Sequence, residues 1–237
     1  MFVHCLADFF NLGLWPRGRD PRFPDLNDGL QDLVSAIFSA LGESGVAPRE
    51  VTIRLYGGWH GDFPKSGRDI LGLTHAVIRE FPRRVGVRLR IQIADSPVWN
   101  QSLKILNSVR RVPFSPLSGD FVTPALCAKP GDCTIGSLRS WWNGRCPEEV
   151  CGIKLADVGS TYRQKMVDTL LTADAITLVH DDMCDALVVA SDDDDMLPTI
   201  LAVSYLRIRA FLLRRKARDD AYYRGILELN NVSIFNW

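Results

Sequence analysis

Short apolar runs separated by segments of helical periodicity organise this chain and narrow its fold class more than any other feature. Phe2 to Ala7 reads as a buried strand that ends at Asp8. Leu30, Leu33, Val34, Ile37, Phe38 and Leu41 recur at spacings of three and four, so a helix is expected over Leu26 to Leu41, closed by Gly42 and Gly45. Val51 to Tyr56 is a second strand stopped by Gly57-Gly58, Arg68 to Phe81 a helix ended by Pro82, and Val87 to Ala94 a third strand. Strand, helix, strand, helix, strand is the pattern of right-handed βαβ units, and it predicts an α/β fold with a mainly parallel sheet.

The pattern breaks after the third strand. Residues from about 98 to 159 scatter prolines, glycines and Trp141-Trp142 without a period and carry Cys127, Cys133, Cys146 and Cys151, so an insertion of short strands and turns is expected there. Thr161 and Gln164 have the spacing of a capping box, which predicts a helix from Thr161 to about Ile176. A strand over Ala186 to Ala190, a helix over Met196 to Leu206 and a last strand over Ile208 to Leu213 follow, then a basic, mixed tail from about 214. No repeat or linker divides the chain, so residues 1–237 are read as a single domain with one insertion.

Charge narrows the function classes. Lys plus Arg and Asp plus Glu are both 28, so no global field drives binding to nucleic acid or anionic lipid, and any such binding must use local patches. No apolar run approaches the roughly 20 residues that span a bilayer. The first residues lack a basic n-region, and the expected setting is soluble, cytoplasmic and reducing. His4, His60, His75 and His180 show neither HxxxH nor HExxH spacing, which argues against a histidine-rich zinc enzyme.

Acidic residues fall where an open parallel sheet binds ligands, beyond the carboxyl ends of its strands. Asp8 ends the first strand, Asp192 to Asp195 follow the strand Ala186 to Ala190, and Asp168 lies in the second turn of the helix expected before that strand. Converging carboxylates repel one another unless a cation neutralises them, and Mg²⁺ or Mn²⁺ with oxygen ligands is the usual solution. Such an ion lowers the pKa of bound water and stabilises the leaving oxygen of a phosphodiester. A solvated acidic loop that caps a helix is the plainer reading of the same four aspartates.

The segment Lys165-Met166-Val167-Asp168 with Leu171 and Asp174, then Leu187 to Ser191 with Asp193, Asp195, Met196, Leu197 and Pro198, resembles the NYN domain of the PIN-like ribonuclease superfamily. That family's pattern there is approximately KGVD, a strand, then SGDSDF. Asp8-Phe9-Phe10-Asn11-Leu12 is similar to its Asp-Gly-x-Asn-Leu opening. The resemblance implies a PIN-like, Rossmann-like three-layer fold and a metal-dependent ribonuclease, an endonuclease by expectation. It further implies that Asp8, Asp168, Asp193 and Asp195 are catalytic metal-binding carboxylates, with Asn11 shaping the site and Lys165 meeting a substrate phosphate. RNA, single-stranded or structured, is the implied partner. Met166 and Phe9 stand where the family has Gly, and Asp192 and Asp194 where it has Gly and Ser. Asp174, about 240° round the helix from Asp168, is expected to point elsewhere.

Arg17, Arg19 and Arg22 follow the first strand and are the best-placed phosphate contacts. A stretch from Arg79 to Arg90 and another from Arg207 to Arg218 are read as mostly solvent-facing. Trp59 and Trp141-Trp142 are candidates for base stacking, against a reading as local core. Cys127-x5-Cys133 and Cys146-x4-Cys151 are a candidate four-thiolate structural zinc site, with looser spacing than usual knuckles. The alternative to a nuclease is a catalytically inactive nucleic-acid-binding or scaffolding module of the same fold. A haloacid-dehalogenase-type phosphatase ranks below both, because Phe10 stands at the second Asp of that family's Asp-x-Asp. Protein partners and homo-oligomerisation are left open.

Overall fold

The computed structural model describes residues 1–9, 11–14, 23–57, 86–103, 109–113, 146, 148, 150–154, 157, 160–164, 166–216 and 221–237. The helix expected over Arg68 to Phe81 lies outside them, as do Trp59, Trp141 and Trp142. So do Arg17, Arg19, Arg22, Lys165, Cys127 and Cys133. The chain forms two compact units, one from Met1–Ser108 with Gln164–Trp237 and one from Val109–Arg163.

The first unit is built on six strands, β1 (Phe2–Asp8), β2 (Glu50–Tyr56), β3 (Arg88–Ile93), β6 (Ala186–Ala190), β7 (Arg209–Arg214) and β8 (Val232–Asn236). Two further strands, β4 (Val109–Pro113) and β5 (Ser160–Gln164), pair as a separate two-stranded sheet. The large sheet has the order β3-β2-β1-β6-β7-β8, and every pairing in it is parallel. Among the described residues there are four helices, α1 (Phe23–Glu43), α2 (Val167–His180), α3 (Leu197–Tyr205) and α4 (Ala221–Leu229). None is long and apolar enough to cross a membrane.

The two-residue period of a strand divides the core between the sheet's faces. Val3, Cys5, Ala7, Val51, Ile53, Leu55, Val188 and Phe211 pack with the α1 stripe of Leu30, Leu33, Val34, Ile37, Phe38 and Leu41. Leu6, Leu187, Val189 and Leu212 on the other face pack with Leu171, Ala175 and Leu178 of α2, Ile200 and Val203 of α3, and Leu227 of α4. Helix, sheet and helix therefore form three layers. Burial on both faces explains why β6 reads as an uninterrupted apolar run.

Two expectations are corrected. Ser160–Gln164 is extended and pairs with β4, so Thr161 does not cap a helix; α2 starts at Val167, where the Leu170 N–H reaches the Met166 carbonyl at 2.8 Å. Asp168 consequently lies in the first turn of α2, not the second. The expected tail contains α4 and the edge strand β8. It gave little pattern because α4 is nine residues long, and Leu227 is the residue of its described part that enters the core.

Met166, where the resembled motif has Gly, holds a left-handed backbone with φ 67°. That conformation costs an L-residue about 1–2 kcal/mol. Its side chain is 49% exposed, so little packing offsets the strain. Met166→Gly is expected to stabilise the fold by about 1 kcal/mol after the entropy Gly adds to the unfolded chain, read from equilibrium urea unfolding. A loss of that size would mean that side-chain packing outweighs the strain.

Candidate active site

The chain enters the sheet at its centre through β1, moves outward to β3, and returns to place β6 on the other side of β1. The strand order reverses between β1 and β6, so the crevice beyond their carboxyl ends is the switch point where open α/β sheets bind ligands. Asp8 is the last residue of β1, and Ser191 to Asp195 follow β6 directly. Helix α2 leads into β6 from the opposite direction, which brings its N-terminus and Asp168 to the same edge.

Three residues of the β1 and β6 loops organise this edge. Asn11 donates its backbone N–H to Asp8 Oδ1 at 3.3 Å and its Nδ2 to Asp193 Oδ2 at 3.0 Å. Ser191 Oγ donates to Asp8 Oδ2 at 3.4 Å and accepts the Asp193 N–H at 3.1 Å. Asp193 Oδ1 in turn accepts the Asp195 N–H at 3.0 Å, capping the single 3-10 turn Asp194–Met196. Sequence reasoning missed Ser191, although its place between an apolar strand and the acidic run is the signal that would have found it.

The four consecutive aspartates have different surroundings. Asp192 is buried, and its Oδ1 accepts the backbone N–H groups of Arg215 and Lys216 at 2.9 and 3.1 Å. Asp194 forms a 2.9 Å ion pair with the fully buried Arg214. Asp193 and Asp195 are the two whose charges act on Asp168. The structure thus brings Asp8, Asn11, Asp168, Asp193 and Asp195 together.

Burial pushes the Asp8 carboxyl up to about 6, against the pull of its bonds from Asn11 and Ser191 and with a further push from Asp168. Asp168 is also raised, by desolvation and then by the charges of Asp193 and Asp195. Among the described residues no cation pairs with Asp8, Asp168, Asp193 or Asp195. Because the folded form of Asp8 holds its proton up to a higher pH than the unfolded form, its contribution to stability is complete at low pH and is lost between about 3.8 and 6. Asp8→Asn is therefore expected to raise stability above pH 6 by on the order of 2 kcal/mol and to change little below pH 4. Thermal melts of both proteins across pH 4–8 check this, and parallel curves would count against a repelled, desolvated Asp8.

Among the described residues, Arg88 and Arg90 are held away from this edge and Arg215 is committed to structure. Arg88 and Arg90 pair with Glu50 at 3.3 and 3.0 Å, at the start of β2 and β3 and so at the opposite edge of the sheet. Arg215 donates Nη1 to the carbonyls of Leu12 and Gly13 at 3.0 and 3.2 Å, tying the loop after β1 to the end of β7.

Asp174 faces away from the acidic edge into a buried network. It accepts from Tyr56 Oη at 2.6 Å, Arg54 Nη2 at 3.2 Å and the Val98 N–H at 2.9 Å, and Arg54 Nη2 also reaches the Ser96 carbonyl at 2.7 Å. This network fastens α2, and with it Asp168, to β2. Its sequence signal was Thr52, Arg54 and Tyr56 alternating with Val51, Ile53 and Leu55 in a strand buried on both faces.

Carboxylate and amide oxygens are the donor types that hard divalent cations take. No group of three or more His, Cys, Asp or Glu among the described residues is drawn tightly enough to hold an ion directly. Mg²⁺ is commonly held by one or two carboxylates and completes its shell with water, so spaced carboxylates that have no counter-charge among the described residues fit its chemistry. The chain matches no protein-family model, no curated protein and no solved structure.

Proposed function

We propose that the chain is a metal-dependent ribonuclease that hydrolyses phosphodiester bonds within RNA, with a PIN-like fold and Asp8, Asp168, Asp193 and Asp195 as its metal-binding carboxylates. The observation that carries the reading is their gathering, without a counter-charge among the described residues, at the switch point between β1 and β6. Mg²⁺ or Mn²⁺ held there would lower the pKa of a bound water and stabilise the charge that develops on the leaving oxygen. Asn11 and Ser191 keep Asp8 and Asp193 in fixed orientations, so their oxygens need little reorganisation when substrate arrives. Lys165, Arg17, Arg19 and Arg22 are assigned to the phosphates flanking the cleaved bond, on the strength of the sequence resemblance. The choice of RNA over DNA also rests on that resemblance, since activated water does not need a 2′-hydroxyl.

A second reading, an inactive RNA-binding module, is favoured by one observation. Both Asp193 oxygens already accept hydrogen bonds from within the chain. End-labelled single-stranded RNA and matched DNA, incubated with Mn²⁺, Mg²⁺ or EDTA, separate the two. The expected result is internal cleavage of RNA that needs the metal and is abolished by EDTA. Bound but uncut RNA in every metal would replace the nuclease with the binding module.

A further inference from the structure

The two edges of the large sheet differ in how they are guarded. An edge strand presents unpaired N–H and C=O groups that can template pairing with another chain, and proteins blunt it with charge, Pro or a bulge. At one edge β3 carries Arg88 and Arg90, both ion-paired with Glu50. At the other, β8 reads Val232-Ser233-Ile234-Phe235-Asn236, with neither a charge nor a Pro. Along a parallel strand, alternate residues turn their N–H and C=O to opposite sides. The Trp237 N–H bonds the Arg214 carbonyl of β7 at 3.1 Å, so Phe235 and Ser233 also point to β7, while Val232, Ile234 and Asn236 point outward. Among the described residues no hydrogen bond reaches that outer row.

Helix α4 and the outer edge of β8 frame a groove lined by Arg224, Glu228, Asn231, Val232, Ser233 and Ile234. Arg224 and Glu228 lie one helical turn apart and are exposed, and neither is in an ion pair among the described residues. Because α4 connects two parallel strands, it runs antiparallel to β8. A twofold axis normal to the sheet through Ile234 therefore sets the Arg224 end of one α4 beside the Glu228 end of another, so the groove is complementary in charge to a copy of itself.

We propose that β8 is a dimer interface, pairing antiparallel with β8 of a second copy of this chain about a twofold axis through Ile234. In that register Ile234 stands opposite the partner's Ile234, and Val232 opposite the partner's Asn236, each pair exchanging two backbone hydrogen bonds through the outward groups. The side chains fit as well. Ile234, half-buried on the α4 face, meets its mate at the floor of the groove. On the α1 face Phe235 meets the partner's Ser233, a large side chain against a small one. Arg224 faces the partner's Glu228 at both ends of the groove. One symmetry operation thus satisfies the strand edge and both charges, which favours a second copy over a foreign strand. With β3 guarded, association closes at two chains. The interface has no place in the proposed hydrolysis and stands or falls independently of it.

Sedimentation velocity of the full chain across the micromolar range is expected to show a monomer–dimer equilibrium. Arg224→Glu places like charges opposite each other at both ends of the groove and should raise the dimer Kd by about 10-fold, since two exposed pairs turn from attraction to repulsion. Glu228→Arg should do the same. An equimolar mixture of the two variants should regain the wild-type affinity as a heterodimer, because every contact between positions 224 and 228 across the axis again sets Glu against Arg. Should a variant fail to fold, the wild-type protein still decides the matter, because hydrogen exchange at the Ile234 and Asn236 amides must slow as protein concentration rises. A chain that stays monomeric throughout would overturn the dimer and leave the edge to a strand of another protein. A dimer untouched by both variants, or one whose Ile234 and Asn236 amides exchange as in the monomer, would overturn this interface. Variants that weaken the dimer without rescuing each other would overturn the twofold through Ile234.

Discussion

Asp168→Asn is expected to cut metal-dependent RNA cleavage by at least about 100-fold, since loss of groups that merely orient metal ligands already costs 10–100-fold, while leaving the thermal midpoint unchanged or raised. Two opposing effects set the midpoint. A first-turn carboxylate favours α2 through the helix dipole, but Asp168 is desolvated and repelled by Asp193 and Asp195, which raises its pKa. Removing the charge relieves the repulsion and gives up the dipole term, so the fold is nearly indifferent whereas the chemistry is not. Asp193→Asn should be equally inactive but less stable by about 1 kcal/mol, because an amide cannot accept from both Asn11 Nδ2 and the Asp195 N–H. Initial rates in Mn²⁺ paired with thermal melts separate the roles. Full cleavage by Asp168→Asn would remove this residue from the chemistry, and collapse of both variants would make the aspartates structural.

Asp174→Ala is expected to cost about 3–5 kcal/mol, because it strands Arg54 as an uncompensated buried charge. Tyr56 Oη and the Val98 N–H lose their acceptor at the same time. Burial pushes the Asp174 carboxyl up, and the donors from Tyr56, Val98 and Arg54 pull the other way. Replacing both charges, with Arg54→Met and Asp174→Leu together, should recover much of the loss, since well-packed apolar pairs often match or exceed a buried ion pair. Urea unfolding of the two single variants and the double closes the cycle. A cost below about 1 kcal/mol for Asp174→Ala would show that water solvates Arg54 and that α2 is not anchored by this network.

The sheet was legible because its inner strands print either an unbroken apolar run, as β6 does, or an apolar alternation of the right length, as β2 does. Phe2 to Ala7, Val51 to Tyr56 and Ala186 to Ala190 therefore agree with the structure to within a residue or so. The α1 stripe was legible for the same reason, as all six of its apolar positions enter one core. The start of α2 was misread because Thr161 and Gln164 satisfy a local capping pattern, while pairing of Ser160–Gln164 with β4 is a tertiary fact that no local spacing carries. Positions 8, 168, 193 and 195 could be named from their places after strands and from a family pattern. The division of labour inside Asp192 to Asp195 could not, because it is set by Arg214, Arg215 and Lys216, which reach the run from β7. The Arg54–Asp174 pairing joins residues 120 apart, so the alternation in β2 could mark Arg54 as unusual but not name its partner.

Placing β1 between β2 and β6 also governs the order in which the molecule can be made. Ser191 and Asp8, hydrogen-bonded at the junction of the two strands, are 183 residues apart. At ~5–20 residues per second, β1 leaves the ribosome roughly 10–40 s before its second neighbour. During that interval one side of the central strand is an open edge, a template for pairing with other chains. Expression yield should accordingly depend more on chaperones that shield a nascent sheet edge than the modest size of the protein suggests, and a chain truncated before Ala186 should aggregate instead of yielding a smaller folded core.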